Sequence, residues 1–581
     1  MCSTTGDKEK ILANGVMRFD LFVKPGTEWL VRLVAIAVVL VGLPVSEAGA
    51  AVNLPLHHWS YEAIERLTAL GVIDRAMVVP KPYSRKQAAK YVARAIERMR
   101  GDENAPDGRE AIAEPLLNRL FLFFRPELID LKVINPREQL AGRNDAADST
   151  DENTQSTRDA GNAIRIGGRA QVELDSFQIG QGATRFRENR GGEYYADGTQ
   201  VQADVRGWVE ITDVLALSAQ PKFISEQNAL GIDNSRNAYM RELNAKFTMF
   251  NLAVEIGRSS LWWGPGYHGS LLLTDHAFPL DMIKLGSDEP FRLPWALQSL
   301  GEWKLDTFLT QLERDRDFPQ AKVFGLRLSY LPADWLELGF TRLTQFDGQG
   351  RNQSFPGTVF DAYRHAPNQS GAQEVNEQAM LDFRARVPKI PYLVPFPAGM
   401  QVYGELGSED KWSKFIPSRA AYLAGLYIPQ VFHGDTMDLR IEYADTDFTR
   451  RRTSSERVWY NNFIYVSGMR LEGLPLGHNM GTDGIDLFVR STRYLTEKLQ
   501  LGANLDFQER DRGQPIHEQK REAALDLTWW ISNQTQLTFG YTYQNIKNPG
   551  QVTSINPFIE TFAPNVISTN HFLWTNVSVE F

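Results

Sequence analysis

The last ten residues, Phe572-Leu573-Trp574-Thr575-Asn576-Val577-Ser578-Val579-Glu580-Phe581, alternate without a break. Leu573, Thr575, Val577, Val579 and Phe581 fall on one face; Phe572, Trp574, Asn576, Ser578 and Glu580 fall on the other. Strand side chains point to opposite faces with period two, so one face is mainly apolar and the other mixed and polar-tipped. A soluble edge strand tolerates that pattern. A strand closing a barrel in lipid requires it, because the bilayer meets one side and a wet lumen the other.

The same pattern recurs upstream. Ile164, Ile166, Ala170, Val172 and Leu174 alternate with Arg165, Arg169, Gln171, Glu173 and Asp175. Leu501, Ala503, Leu505 and Phe507 alternate with Gln500, Asn504, Asp506 and Gln508, and Leu537, Phe539, Tyr541 and Tyr543 with Thr538, Thr542 and Gln544. From residue 163 onward the sequence predicts about eighteen strands, near 164–178, 200–212, 214–226, 238–250, 252–260, 279–286, 299–312, 322–331, 335–346, 377–387, 398–408, 417–430, 436–446, 484–494, 497–511, 518–531, 535–546 and 569–581. An even count is what a closed antiparallel barrel needs for both ends to lie on one side. The strand at 279–286 is the weakest, and parity helps to require it. The longest gaps (179–199, 261–278, 347–376, 447–483 and 547–568) all follow odd strands, and the tightest follow even ones. Ser287 to Gln298 and Pro388 to Pro397 are long for inner turns. Short turns on one side and long loops on the other are a barrel signature. The terminal Phe581 also resembles the aromatic end of bacterial outer-membrane barrels, which the barrel-assembly machinery reads.

Composition agrees. Hydrophobic residues make up 43% of 581 residues, and the mean hydropathy is negative because alternation averages the apolar half away. No apolar run near 20 residues follows position 45, which argues against spanning helices. The formal charge of −9 gives no support to nucleic-acid binding. Residues 1–50 read as a secretory signal: an apolar stretch from Trp29 to Val45, preceded by Lys24 and broken only by Arg32, ends in Ala48-Gly49-Ala50. An N-terminal membrane anchor is the alternative. Met17 opens a conventional signal and is the expected start. Cys2 is the sole cysteine, so the mature chain holds no disulfide and no thiolate metal site.

Residues 51–135 predict a helical module. Trp59, Ile64, Leu67 and Leu70 have near-helical spacing and Gly71 is a plausible stop; Ser84 with Gln87 forms a capping box before Ala88, Tyr91, Val92, Ala95 and Ile96; a third helical stretch covers roughly 109–131. Residues 136–162, rich in Asn, Asp, Thr and Ser, predict a polar linker, with the barrel occupying 163–581. The string HHWSYEAIERLTALGVIDRAMVVPKPYSRKQAAKYVARAIERM resembles a surface-layer-homology repeat, which would imply cell-wall binding. Its second-helix signature here is Ser84-Arg85-Lys86-Gln87, with the arginine present and the acid absent. The favoured reading is a periplasmic cap packed on the barrel mouth.

The densest motif is GRSSLWWGPGYHGSLLLTDHAFPLDMIKL, residues 257–285. Its glycines bend the backbone, but no Lys-Ser/Thr follows, so a phosphate cradle is rejected. Trp262, Trp263 and Tyr267, around Gly264, Pro265 and Gly266, could form a sugar-stacking platform, an interfacial girdle or a plug in the lumen. At this motif the chain resembles the Wzi-type capsule-assembly family. The likeness extends to VNLPLHHWSYEAIERLTALGVI, YSRKQAAKYV, GEWKLDTFLTQLERDRDFPQAKVFGLRLSY and EGLPLGHNMGTDG. It implies an outer-membrane β-barrel of a diderm bacterium, with a periplasmic helical part, acting as a lectin that holds exported polysaccharide. It supplies no catalytic residues.

No HExxH, Gly-x-Ser-x-Gly or close His–Ser pairing is present, and neither catalysis, cofactor nor metal is expected. Polysaccharide retention needs many weak contacts, and arginine forks beside aromatic faces suit acidic sugars. The first cluster of this kind is Arg450, Arg451, Arg452, Arg457, Trp459 and Tyr460; the second is Arg185, Arg187, Arg190, Tyr194 and Tyr195. The same arginines could bridge lipopolysaccharide phosphates or stand solvated. A porin for small solutes and a structural envelope tether are the competing functions.

Overall fold

The computed structural model describes residues 51–101, 110–135, 164–180, 185–195, 197–212, 214–225, 237–364, 374–390, 392, 394–409, 420–446, 457–551 and 561–581. The leader over 1–50 and the linker over 136–162 lie outside the described residues.

Eighteen antiparallel strands close into a barrel. They are β1 Ile164–Gln178, β2 Gly198–Ile211, β3 Leu215–Ile224, β4 Ala238–Met249, β5 Leu252–Ser259, β6 Leu280–Ser287, β7 Glu302–Gln311, β8 Lys322–Ala333 and β9 Leu336–Phe346 in the first half. The second half runs β10 Asn376–Val387, β11 Met400–Glu409, β12 Ala420–Ile428, β13 Leu439–Asp445, β14 Ile485–Thr496, β15 Leu499–Arg510, β16 Glu518–Trp530, β17 Thr535–Lys547 and β18 Ile567–Glu580. Every predicted strand is present, and the weak one, β6, pairs along its whole length with β5. Its alternation is faint because its apolar residues face both ways: Leu280 and Met282 are buried against the contents of the lumen.

Closure comes from β1 on β18, with register from Arg169 opposite Glu580 to Gln178 opposite His571, and Phe581 exchanges both backbone hydrogen bonds with Gly168. The terminal strand behaves as its alternation dictates. Leu573, Val577, Val579 and Phe581 are exposed on the outer wall, while Phe572, Asn570 and Ser578 are buried inside. Ile164, Ile166, Val172, Leu174, Leu505, Phe507, Phe539 and Tyr541 continue the outer apolar band. A soluble protein would hide such a surface; in a barrel it faces lipid. No helix among the described residues is long and apolar enough to cross a membrane.

Long loops gather at one end and tight turns at the other. The long inner connection between β6 and β7 holds a two-residue strand, Phe291–Arg292, and a 3-10 turn, Trp295–Leu300. Among the described residues four helices precede the barrel: α1 Trp59–Ala69, α2 Arg85–Gly101, α3 Glu110–Phe123 and α4 Arg125–Asp130. The single stretch expected over 109–131 is therefore two helices, which break at Phe124 before Pro126. Ser84 Oγ accepts the Gln87 N–H at 3.2 Å, but Gln87 does not reach back to complete the box; its side chain meets Tyr91 Oη and Lys304 of β7. Ile64, Leu67, Leu70, Val92, Leu117 and Leu120 pack as the module's own core.

The module enters the tight-turn end rather than resting on it. Arg66 donates to the carbonyls of Pro429 and Thr436 and pairs with Asp438; Arg119 donates to the Glu497 carbonyl and lies 3.7 Å from the Trp530 ring centroid. Glu337 of β9 accepts the Val78 and Val79 N–H groups, both at 3.2 Å. Arg85, the arginine of the surface-layer-like signature, is buried on Glu127 and the Phe123 ring.

Candidate functional site

The motif segment leaves β5 and turns into the lumen. Trp262–Trp263 pairs as a short antiparallel strand with Pro80–Lys81 of the module, so module and loop are joined by backbone bonds inside the barrel. Trp263 is 1% exposed and packs on Phe308; Trp262 donates its indole N–H to the Gly266 carbonyl at 3.0 Å. Of the three readings of this aromatic group, the structure gives the plug.

Two wall carboxylates hold the plug by its backbone. Glu405 of β11 accepts Gly266 N–H at 3.2 Å and Leu271 N–H at 2.7 Å. Glu442 of β13 accepts Tyr267 N–H at 2.7 Å and His268 N–H at 3.0 Å, with the Tyr403 hydroxyl as a third donor. A loop bent this tightly has no helix or sheet to satisfy its amides, so side-chain carboxyl oxygens of the wall take that role. Glycine is needed where the fit is closest: a Cβ on Gly266 would lie 1.9 Å from the Gly269 carbonyl oxygen, and one on Gly269 would strike the His478 ring.

A second loop closes over the plug from the long-loop end. Trp459 and Tyr460 are buried beside Leu271, Met469, Leu476 and Met480 in one apolar cluster. The Tyr460 hydroxyl donates to the Leu271 carbonyl and accepts the His478 N–H. The expectation that Trp459 and Tyr460 offer their faces to solvent is corrected here. Their loop carries too much apolar surface to stay in water and folds inward.

The charged rim follows the same rule. Arg187 is buried against Glu173, Asp175 and Glu193, which corrects its reading as a free outer fork. Arg457 pairs with Asp511. Arg190 is exposed and lines a cavity of ≈ 60 Å³ with Arg169, Lys222, Arg241 and Asp275. Arg185 and Phe186 form a short backbone hairpin with Tyr194 and Tyr195. Arg450, Arg451 and Arg452 lie outside the described residues.

His268 stands in the plug between Asp486 and Asp506, each 3.5 Å away, with Glu188 at 3.6 Å and the Phe488 ring stacked at 4.1 Å. Burial opposes its charge, but Asp486, Asp506 and Glu188 outweigh burial and raise its pKa to about 10. His276 and His478 are held neutral instead, lowered to about 3 mainly by burial. Glu188, His268 and Asp506 are close enough to share an ion, but the Lys520 ammonium already stands between Asp506, at 2.6 Å, and Glu188. The arrangement is an internal salt network that ties plug, rim and wall.

The family model for the capsule assembly protein Wzi matches residues 167–556, most of this barrel. The chain belongs to the Wzi capsule-assembly family. A relative from Klebsiella pneumoniae, an uncharacterised 55.8 kDa protein of the cps region, is 31% identical over 254 residues. The match covers 43% of this chain and 48% of that one, so the chain spans about half the length of this curated relative. Wzi of Escherichia coli, described as an outer-membrane protein involved in group 1 capsule assembly and a carbohydrate-binding β-barrel, superposes with a TM-score of 0.62 at 18% identity. The superposition covers 91% of this chain and 99% of that one, which establishes the shared fold. Acinetobacter baumannii OccAB2 is a looser likeness, with a TM-score of 0.40 and 11% identity over 72% of this chain and 98% of that one.

Glu405, Glu442 and Glu337 are the functional residues that sequence reasoning missed. Each sits on a lumen-facing position, where carboxylates are ordinary, and only the folded loop distinguishes them. The neighbouring Gly404 and Gly407, which give room against Phe383 and Trp459, were the available signal.

Proposed function

We propose that this Wzi-family barrel binds an extracellular, capsular polysaccharide and holds it at the outer surface of the outer membrane, without catalysing its chemistry. The carrying observation is the stoppered lumen. The module fills one mouth, the Trp262–Leu273 segment crosses the middle, and the Trp459–Met480 loop covers the other. A barrel whose lumen is occupied in this way by described residues serves as a platform, which weighs against the porin reading. The description of the E. coli structure as a carbohydrate-binding barrel and the cps-region origin of the Klebsiella relative support the same reading.

In this reading the long-loop end faces the exterior and the helical module the periplasm. Each sugar unit contributes little per hydrogen bond, so retention arises from repeated contacts along one polymer and across many surface copies. Arg450, Arg451 and Arg452, with Arg185, Arg190, Tyr194 and Tyr195, are the proposed polymer contacts. Lipopolysaccharide at the rim, the assembly machinery at the exposed Phe581 and cell wall at the module are the other proposed partners.

The test compares cell-associated with released polysaccharide in a deletion strain complemented with wild-type protein or with Arg450→Ser/Arg451→Ser/Arg452→Ser, at matched surface levels. The variant is expected to assemble and to shed polymer. An unchanged ratio, where full deletion does shed polymer, moves the contact to the 185–195 loop. No effect of full deletion overturns the retention function.

A further inference from the structure

We infer that the junction of helical module, plug and barrel wall binds a small monovalent anion that fastens the module in place. A cavity of ≈ 20 Å³ lies there, lined by Tyr61, Glu65, Lys81, Arg384, Arg440 and the Gly264–Tyr267 backbone. A site holding one water needs roughly 10–15 Å³ on this measure, so a single halide-sized species fits and a phosphate or a sugar does not.

The donors around it are not all answered. Arg440 is satisfied: its guanidinium lies between the Tyr267 and Tyr427 rings, 4.4 and 4.2 Å from their centroids, and pairs with Glu65 at 3.1 Å. Arg384 of β10 is 8% exposed; its Nη2 reaches the Ala76 carbonyl and Glu337, but its Nε and Nη1 are buried without a hydrogen-bond partner. Lys81 Nζ has the Tyr61 ring at 5.3 Å and forms no hydrogen bond or ion pair among the described residues. Glu65 is thus taken by Arg440, and Glu337 by the Val78 and Val79 N–H groups and one edge of Arg384, which leaves the Lys81 ammonium and two Arg384 nitrogens open beside the cavity. Glu405, on the far side of Gly266, is already committed to plug amides. Guanidinium N–H groups buried without acceptors are costly, and a part-buried ammonium beside them gains from a counter-ion. A bound anion answers both deficits at once. Burial lowers the Lys81 pKa, with Glu65 opposing and Arg440 reinforcing that, which is the direction expected of an ammonium still lacking a counter-charge.

The anion's position gives it a mechanical role. Lys81 lies in the short strand that pairs with Trp262–Trp263, so an ion shared by Lys81 and Arg384 clips the module's hairpin to the wall beside the plug.

The full-length protein crystallised from sodium bromide should show an anomalous bromine peak between Lys81 Nζ and the Arg384 guanidinium, and Lys81→Met should lose it. If Lys81→Met does not reach the heat-modifiable folded form, Arg384→Gln serves in its place. In parallel, the thermal midpoint should be higher in chloride than in gluconate at equal ionic strength, with the difference absent in the variant. Water alone in the cavity, with no bromine peak, overturns the site. A peak without any halide-dependent shift marks an adventitious ion only and overturns the fastening role.

Discussion

Arg327 is fully buried in the wall and depends on few partners. Its guanidinium takes Asp382 through both oxygens, at 2.8 and 3.0 Å, and Thr341 and Ser329 accept two more of its N–H groups. Gly339 makes this possible, since a Cβ there would lie 2.4 Å from both Asp382 oxygens. Removing one partner of a buried pair leaves the other charged and dry, at a cost of about 3–5 kcal/mol. Asp382→Ala should therefore lower the urea midpoint of the folded barrel by that equivalent, whereas Arg314→Ala on the exposed rim should leave it within error; equal midpoints for the two would refute the pairing. His268 gives a pH prediction. Its folded pKa, about 10, lies above the ordinary 6.5, so its stabilising contribution is complete below pH 6.5 and fades as pH rises through 10. The gap in thermal midpoint between wild type and His268→Gln should be widest near pH 6 and shrink towards pH 10. A gap that instead grows with pH would place a neutral imidazole in the plug.

Elements differ in how much of themselves they reveal. The strands were legible because each wall residue obeys one constraint, lipid or lumen, repeated every second position; even faint β6 was recoverable from parity. The module's first two helices were legible from capping and spacing. Its mode of docking was not, because Arg66, Arg85 and Arg119 look like surface residues of amphipathic helices until the barrel surrounds them. The plug was hidden for a related reason. Trp262, Leu271, Trp459 and Tyr460 build an aperiodic core from two distant loops, and nothing local distinguishes that core from an exposed aromatic platform. Docking can be tested at Arg66. Asp438 retains Thr492 and the Tyr427 hydroxyl when Arg66 is lost, so the wall should survive Arg66→Ala while the module loses three anchors. Hydrogen bonds to charged groups contribute about 1.5–3 kcal/mol each. Trypsin should then cleave within 51–135 faster than in wild type, with heat-modifiable migration of the barrel unchanged. Loss of both together would mean that module and wall fold as one unit.

For the whole molecule, the decisive property is that described segments of the module and of two loops pack inside the barrel. Its polar wall supplies acceptors, the loops supply an apolar core, and the module supplies a stopper bonded to that core. A filled barrel should give no steady conductance in planar bilayers. The absence of current alone does not distinguish a plug from failed insertion, so the informative case is a variant that opens. Glu405 and Glu442 hold four plug amides between them. Replacing both with alanine leaves those amides seeking water, and the easiest route to water is to leave the close-packed lumen. Glu405→Ala/Glu442→Ala should therefore insert as wild type does, judged by heat-modifiable migration and resistance to urea extraction, yet show frequent openings. Single replacements, each leaving two amides held, should open rarely. If the double variant assembles and stays silent, the Trp459–Met480 loop and the module alone close the lumen, and the plug's amide contacts serve packing rather than occlusion. Large stable channels in the wild type would remove the platform reading and restore the porin.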